Sequence, residues 1–303
     1  TFDNKNVGSN KTVTVNSITL ADGTNGGLAA NYSISAGQTT TAHISPKSLT
    51  VSGNTASNKV YDSNSSATVS VTLSGFVGSE TLTYTNSSSF NNKNVGTGKT
   101  VTVDSITLAD GNNGGLASNY SITPGQTTTA NITAKSLIIS GIIASSKTYN
   151  GSTSATLDTS AILYSGFIPG DTFDGSYTGV FSNANVGTAK TVTITSSYTG
   201  ADVSNYSITN QSSTTADISA KALTATASAS NKTYDATNSA SVTLTLSGLV
   251  GSETLGSTNT STFNNKNVGT GKTVTVNSIT LANGSNGGLA ANYSISAGQT
   301  TTA

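Results

Sequence analysis

The side chains able to act as acids, bases or nucleophiles are few and scattered. The 303 residues include thirteen lysines, thirteen carboxylates and one histidine, with neither cysteine nor arginine. Nucleophilic hydrolysis needs a base held against its nucleophile. The one histidine, His43, has Asn131 and Asp217 at the corresponding places in later copies of the same pattern. No Gly-x-Ser-x-Gly elbow, phosphate loop or His-Glu-x-x-His pair occurs. The residues therefore point away from an enzyme. Calcium takes about six to eight oxygens, usually with several carboxylates close together. Asp171, Asp174 and Asp202 are the candidates. Asp22 and Asp110 also lie in glycine-rich loops, but Asn283 replaces them in the last copy. Ordinary turn chemistry, in which Asp and Asn cap their own backbone, covers all of these. No cofactor is expected, with calcium at a joint left open. Lys47, Lys135 and Lys221 share strand parity with apolar neighbours such as Leu49, Leu137 and Leu223. An inward lysine is costly unless paired. One reading is an isopeptide bond to Asn or Asp assisted by Glu80, Asp171 or Glu253. The other lays the lysine stem along a sheet edge with its amine in water.

The elements that must position these residues come from one sequence written several times. Asn-Lys-Asn-Val-Gly stands at 4–8, 92–96 and 265–269, with Asn-Ala-Asn-Val-Gly at 183–187. Asn-Tyr-Ser-Ile begins at Asn31, Asn119, Asn205 and Asn292. The spacing is roughly 87 residues, longer than the 20–45 of a solenoid coil, so each copy is long enough to be a small domain. Boundaries placed in the runs around Ile44–Leu49, Ile132–Leu137 and Ile218–Leu223 divide the chain into 1–45, the second half of a repeat, and three full repeats, 46–133, 134–219 and 220–303. These joints lack glycine, which predicts strands passing almost directly from one repeat to the next.

Within each repeat the pattern is that of strands. Lys99-Thr-Val-Thr-Val103 alternates with period two through β-branched residues, and so do 11–15, 190–194 and 272–276. Ile106 and Leu108 then fall out of phase, which predicts a bulge or a corner where the strand changes sheet. The third copy replaces that stretch with Ser196-Ser-Tyr-Thr-Gly-Ala-Asp. Asp-Gly, Asn-Gly and Ser-Gly pairs mark the turns, and helical periodicity is missing. The expectation is an all-β chain of antiparallel sandwiches or barrels. Tyr61, Tyr149 and Tyr234 form one recurring set, and Tyr32, Tyr120, Tyr206 and Tyr293 another. Both are read as core anchors before sugar-stacking platforms.

The net charge is zero and charged residues make up 9% of the chain. No basic stripe exists to displace counterions from nucleic acid or to seek an anionic membrane, and no run approaches the roughly 18 apolar residues of a spanning helix. Thr1 falls inside a repeat, so the chain reads as an internal fragment of a longer protein.

An ordered series of motifs runs through every repeat. In 46–133 it is Lys47 and Leu49, Lys59–Asp62, Gly75–Glu80, Asn94–Gly96 and Asn119–Ile122. It recurs at Lys135, Lys147–Asn150, Gly166–Asp171, Asn185–Gly187 and Asn205–Ile208, and again at Lys221, Lys232–Asp235, Gly248–Glu253, Asn267–Gly269 and Asn292–Ile295. This series resembles the bacterial immunoglobulin-like repeats called MBG or YDG domains. One departure is the residue after Tyr-Asp/Asn, which is glycine only at Gly151 and is Ser63 or Ala236 elsewhere; this leaves the turn there open. The resemblance implies tandem immunoglobulin-like β-sandwich modules in an elongated rod. It implies a non-enzymatic stalk or spacer of a bacterial cell-surface or secreted adhesin of the filamentous-haemagglutinin-like kind, supporting adhesion or biofilm matrix. The partners expected are neighbouring repeats of the same long chain, polysaccharide, or another copy. A glycan- or partner-binding repeat array, and an extracellular filament subunit assembling by strand exchange, are the alternatives.

Overall fold

The computed structural model describes residues 1–303. The chain forms β-strands of up to 15 residues and four one-turn 3-10 segments, with no α-helix. It clusters into two units: Thr1–Lys135 with Ser204–Tyr206, and Ser136–Val203 with Ser207–Ala303.

In the first unit, residues 1–45 form a hairpin of Gly8–Thr14 and Thr39–Ile44. Residues 46–133 form a four-stranded sheet in the order Lys59–Val60, Thr127–Thr133, Gly96–Asp110, Leu82–Phe90. A second layer pairs Thr50–Ala56 with Val69–Ser74, and Lys47–Ser48 runs parallel to Tyr120–Ser121. Residues 134–219, which fall in the second unit apart from 134–135 and Ser204–Tyr206, build a five-stranded sheet around Gly187–Thr199 and a three-stranded one around Lys135–Ser140. Residues 220–303 repeat the plan with Lys221–Ala229 between Val242–Ser247 and Tyr293–Ile295, and Thr273–Asn283 between Leu255–Phe263 and Thr300–Thr302.

The alternating runs place their valines inward: Val101, Val103, Val192, Val274 and Val276 are all fully buried. The phase slip is a β-bulge. Ser87 pairs with Ser105 and Ser88 with Val103, leaving Asp104 as the extra residue; Asn277 is the extra residue between Thr260 and Ser261's partners. The strand stays in one sheet through the bulge, so the corner alternative does not hold. In 134–219 the pairing of Asp174–Phe181 with its neighbour is unbroken, in keeping with the replaced sequence there. Asn86 Nδ2 donates to the Val69 carbonyl at 3.0 Å, and Asn259 Nδ2 to that of Val242 at 2.9 Å, tying one sheet to the other.

The half-repeat 1–45 shows what its missing strands would supply. Lys11-Thr-Val-Thr-Val15 is identical to 99–103, yet Val15 is 38% exposed where Val103 is 0%. Val103 has Leu82–Phe90 beside it in its sheet, whereas the strand Gly8–Thr14 pairs only with Thr39–Ile44. Local sequence sets the alternation, and the packing partner sets the burial.

Candidate functional site

Three of the four repeats carry a prebuilt turn; in 134–219 the stretch is replaced and Asp202 accepts the Thr172 N–H instead. A side-chain oxygen in the Asp/Asn-Gly loop receives a backbone N–H seven residues on: Ala29 to Asp22 Oδ1 at 2.7 Å, Ala117 to Asp110 Oδ1 at 2.7 Å, Ala290 to Asn283 Oδ1 at 2.8 Å. Asn283 serves as well as aspartate, so the contact is a cap and not a charge site. Gly115 completes the loop by closeness: a Cβ there would meet the Thr81 carbonyl oxygen at 2.1 Å. The capped 3-10 turns, Ala29–Asn31, Ala117–Asn119 and Ala290–Asn292, end at the asparagine of Asn-Tyr-Ser-Ile.

That asparagine clasps an Asn-Val-Gly loop. Asn119 Oδ1 accepts the Val7 N–H at 2.8 Å while its Nδ2 donates to Asn6 Oδ1 at 3.0 Å. In the same unit Asn205 takes the Val95 N–H at 2.9 Å and donates to Asn94 Oδ1 at 3.2 Å. In the second unit Asn292 takes the Val186 N–H at 2.9 Å and donates to Asn185 Oδ1 at 3.1 Å. One asparagine thus uses its donor and its acceptor together, the bidentate capacity of an amide. Asn205 and Asn292 are both buried, where each such bond contributes about 1 kcal/mol net and costs more if left unmade.

The tyrosine that follows completes the clasp. Tyr206 meets Tyr61 edge-on with ring centroids 5.7 Å apart, and Tyr293 meets Tyr149 at 5.4 Å. Such pairs contribute about 0.5–1.5 kcal/mol beyond their burial. In the second unit Tyr149 and Tyr293 belong to one continuous apolar cluster with Phe181, Val192, Ile218 and Leu223. Core packing therefore runs unbroken between the repeats 134–219 and 220–303.

A glutamate sits at the rim. Glu253 Oε1 accepts the Tyr149 hydroxyl at 2.6 Å and Oε2 that of Tyr293 at 2.7 Å. Burial, with the Glu253 carboxylate next in weight, pushes the Tyr149 phenol up to about 12. In the first unit Glu80 accepts from Tyr120 at 2.7 Å and pairs with Lys5 at 2.8 Å. The Lys5 hydrogen bond, and then that of Tyr120, hold the Glu80 carboxyl below the usual range.

Two clamps shape the loops from within. Lys59 Nζ bonds Asp62 Oδ1 at 2.7 Å and the Asn64 carbonyl at 2.9 Å; Lys232 bonds Asp235 Oδ1 at 2.8 Å and the Thr237 carbonyl at 3.0 Å. Both amines lie over phenylalanine rings, Phe90 and Phe263. The turn left open by the missing glycine is the same in all three repeats: φ is 65° at Ser63, 75° at Gly151 and 63° at Ala236. The Asn-Val-Gly loop is held by Lys11 to Asn4, Lys99 to Asn92, Lys190 to Asn183 and Lys272 to Asn265.

The residues singled out for chemistry lie elsewhere or hold these contacts. His43 is exposed. Its counterparts Asn131 and Asp217 accept the N–H groups of Gly98 and Ala189 at 2.8 and 2.7 Å. No group of three or more His, Cys, Asp or Glu side chains assembles. Asp171 lies in a turn, its N–H bonded to the Ile168 carbonyl; Asp174 is exposed at the start of the strand Asp174–Phe181; buried Asp202 accepts the Thr172 N–H at 2.9 Å. Lys47 is exposed and Lys135 and Lys221 half-buried. Glu80 is engaged by Lys5 and Tyr120, and Glu253 by Tyr149 and Tyr293. The clasp asparagines were visible as recurring letters, but no local signal joins them to a loop more than a hundred residues away.

Neither the curated proteins nor the solved structures compared with this chain contain a match. The family model described as the YDG domain matches four times, over residues 1–42, 45–130, 133–216 and 219–303. The chain belongs to the YDG-domain family, in four tandem copies.

Proposed function

We propose that the chain is a non-enzymatic structural spacer, a stretch of stalk in a bacterial cell-surface or secreted adhesin. In this reading each repeat is an immunoglobulin-like sandwich and the array is an elongated rod that holds other parts of an adhesin or biofilm-matrix protein at a distance. One observation carries it: the clasp of Asn119, Asn205 and Asn292 on an Asn-Val-Gly loop recurs with the same donors and acceptors. Repeats joined by buried side chains resist bending in a way that flexible linkers do not. Five of the seven recurring tyrosines are occupied in packing: Tyr61, Tyr120, Tyr149, Tyr206 and Tyr293 are buried, while Tyr32 and Tyr234 are exposed and do not act as core anchors. That favours a mechanical role over a glycan-binding array. The extracellular location follows from the adhesin reading, and the partners from the clasp: neighbouring repeats of the same chain.

Small-angle scattering tests the proposal. Strands of seven to ten residues give repeats of about 25–35 Å, hence a rod of about 100 Å and a radius of gyration near 30 Å. A compact domain of the same length would give about 19 Å, and that value would refute the spacer.

A further inference from the structure

The lysine clamp of repeat 134–219 closes on a different partner from the other two. Asn150-Gly151 stands where Asp62-Ser63 and Asp235-Ala236 stand in the repeats on either side. Lys147 takes the place of Lys59 and Lys232. It reaches the Ser152 and Ser154 carbonyls at 2.6 and 2.9 Å and lies over the Phe181 ring. Its counterparts meet a carboxylate at 2.7 and 2.8 Å; Lys147 meets the neutral Asn150 Oδ1 at 3.1 Å. Burial holds its ammonium below the usual lysine range.

Asn150 Oδ1 also accepts the Ser152 N–H at 3.0 Å. Two donors, one of them cationic, thus converge on the oxygen of a side-chain amide, which is the arrangement of an oxyanion hole. The Gly151 nitrogen donates to no carbonyl, and both residues are exposed to water. The chain has four other Asn-Gly pairs, beginning at Asn25, Asn113, Asn283 and Asn286, and none combines these features. Asn113 and Asn286 use the other end of the amide, donating to the Ser79 and Ser252 carbonyls at 3.0 Å. Asn283 receives one N–H, from Ala290, and the Gly284 nitrogen is tied to the Gly288 carbonyl. Asn25 lies in an exposed turn without either donor.

We propose that Asn150 is a self-modifying site, at which the folded chain exchanges the side-chain amide for a carboxylate. The Gly151 nitrogen gives its proton to water and bonds to Asn150 Cγ. The carbonyl electron pair moves onto Oδ1, where Lys147 and Ser152 hold the charge. It returns as the Cγ–Nδ2 bond breaks, and Nδ2 takes a proton from water and leaves as ammonia. Water then adds to Cγ of the cyclic imide, whose oxygen sits in the same hole, and the bond from Cγ to the Gly151 nitrogen breaks. The net change is one water consumed and one ammonia released. The product aspartate gives Lys147 the anion that Asp62 gives Lys59 and Asp235 gives Lys232.

Peptide mapping by mass spectrometry of the folded 303-residue chain, aged in neutral buffer, tests this against the same chain aged in urea. In the folded chain Asn150 should convert about tenfold faster than Asn25, less than the ~10²–10³ of a donor in a closed active site because this loop meets water. Its product should be aspartate, whereas the unfolded chain gives a mixture with isoaspartate and converts all five sites alike. Lys147→Gln should bring Asn150 down to the rate of Asn25, and Lys147→Arg, which keeps a cation at Oδ1, should restore it. A variant that loses its fold would raise Asn113, Asn283 and Asn286 together, so these sites report folding in the same experiment. Conversion at Asn150 no faster than at Asn25 overturns the proposal. So does a rate that Lys147→Gln leaves unchanged in a folded chain, or isoaspartate as the main folded-state product.

Discussion

Asn292 holds Val186 at arm's length across 106 residues of chain, its Oδ1 2.9 Å from the Val186 amide nitrogen. The same side chain donates to Asn185, and it is buried. Replacing Asn292 with alanine leaves the Val186 N–H and Asn185 Oδ1 without their partner. Loss of such a buried pair costs about 1–3 kcal/mol. Chemical denaturation of Asn292→Ala should show that loss. Asn292→Asp keeps the acceptor for Val186 but removes the donor to Asn185, and should fall between the two.

The Tyr149 hydroxyl gives the joint a dependence on alkali. Its folded pKa of about 12 lies above the usual tyrosine value of about 10. The stabilisation is therefore complete below pH about 10 and is lost as pH rises through 12. Tyr149→Phe keeps the ring against Tyr293 and removes the hydroxyl bonded to Glu253. Phenolate absorbance should show a late-titrating tyrosine in the wild type that is missing from Tyr149→Phe, and the variant's stability should fall less between those two pH values.

Acid acts on the loop clamp. The Lys232 hydrogen bond, followed by the Thr237 backbone N–H, lowers the Asp235 carboxyl to about 2. A depressed carboxyl stabilises the fold above its unfolded pKa of about 4 and loses that contribution as pH falls through 2. The stability of Asp235→Asn should be flatter over that interval than that of the wild type, measured by thermal unfolding at each pH.

Ala236 sits at φ 63°, a conformation that costs a residue with a Cβ about 1–2 kcal/mol. Glycine removes that strain but gives the unfolded chain more freedom, a loss of about 0.5–1 kcal/mol. Ala236→Gly should raise stability by about 0.5–1 kcal/mol net. Gly151→Ala, at φ 75°, should lower it.

Much of each repeat is legible in its own letters. The alternation at 99–103 places Val101 and Val103 inside, and the slip at Ile106 marks the bulge at Asp104. The joints are not legible in this way. Val7 meets Asn119, Val95 meets Asn205 and Val186 meets Asn292, all at separations longer than the repeat. Reading one repeat at a time assigns both strings to the same module and so misses that they meet across modules. Burial fails for a related reason: identical pentapeptides at 11–15 and 99–103 differ because only one has its covering strand. Lys59 and Lys232 stand out as recurring motif letters, but a lysine four residues before a turn carries no mark that it will reach back into that turn.

Amide hydrogen exchange at four chemically matched valines tests the clasp most directly. Val7, Val95 and Val268 share the same pentapeptide, and Val186 differs from it by one residue. Slow exchange at Val7, Val95 and Val186, with Val268 exchanging as an open loop does, is the expected pattern. Equal exchange at all four would mean that no asparagine holds these loops, and the joined-repeat account would be wrong.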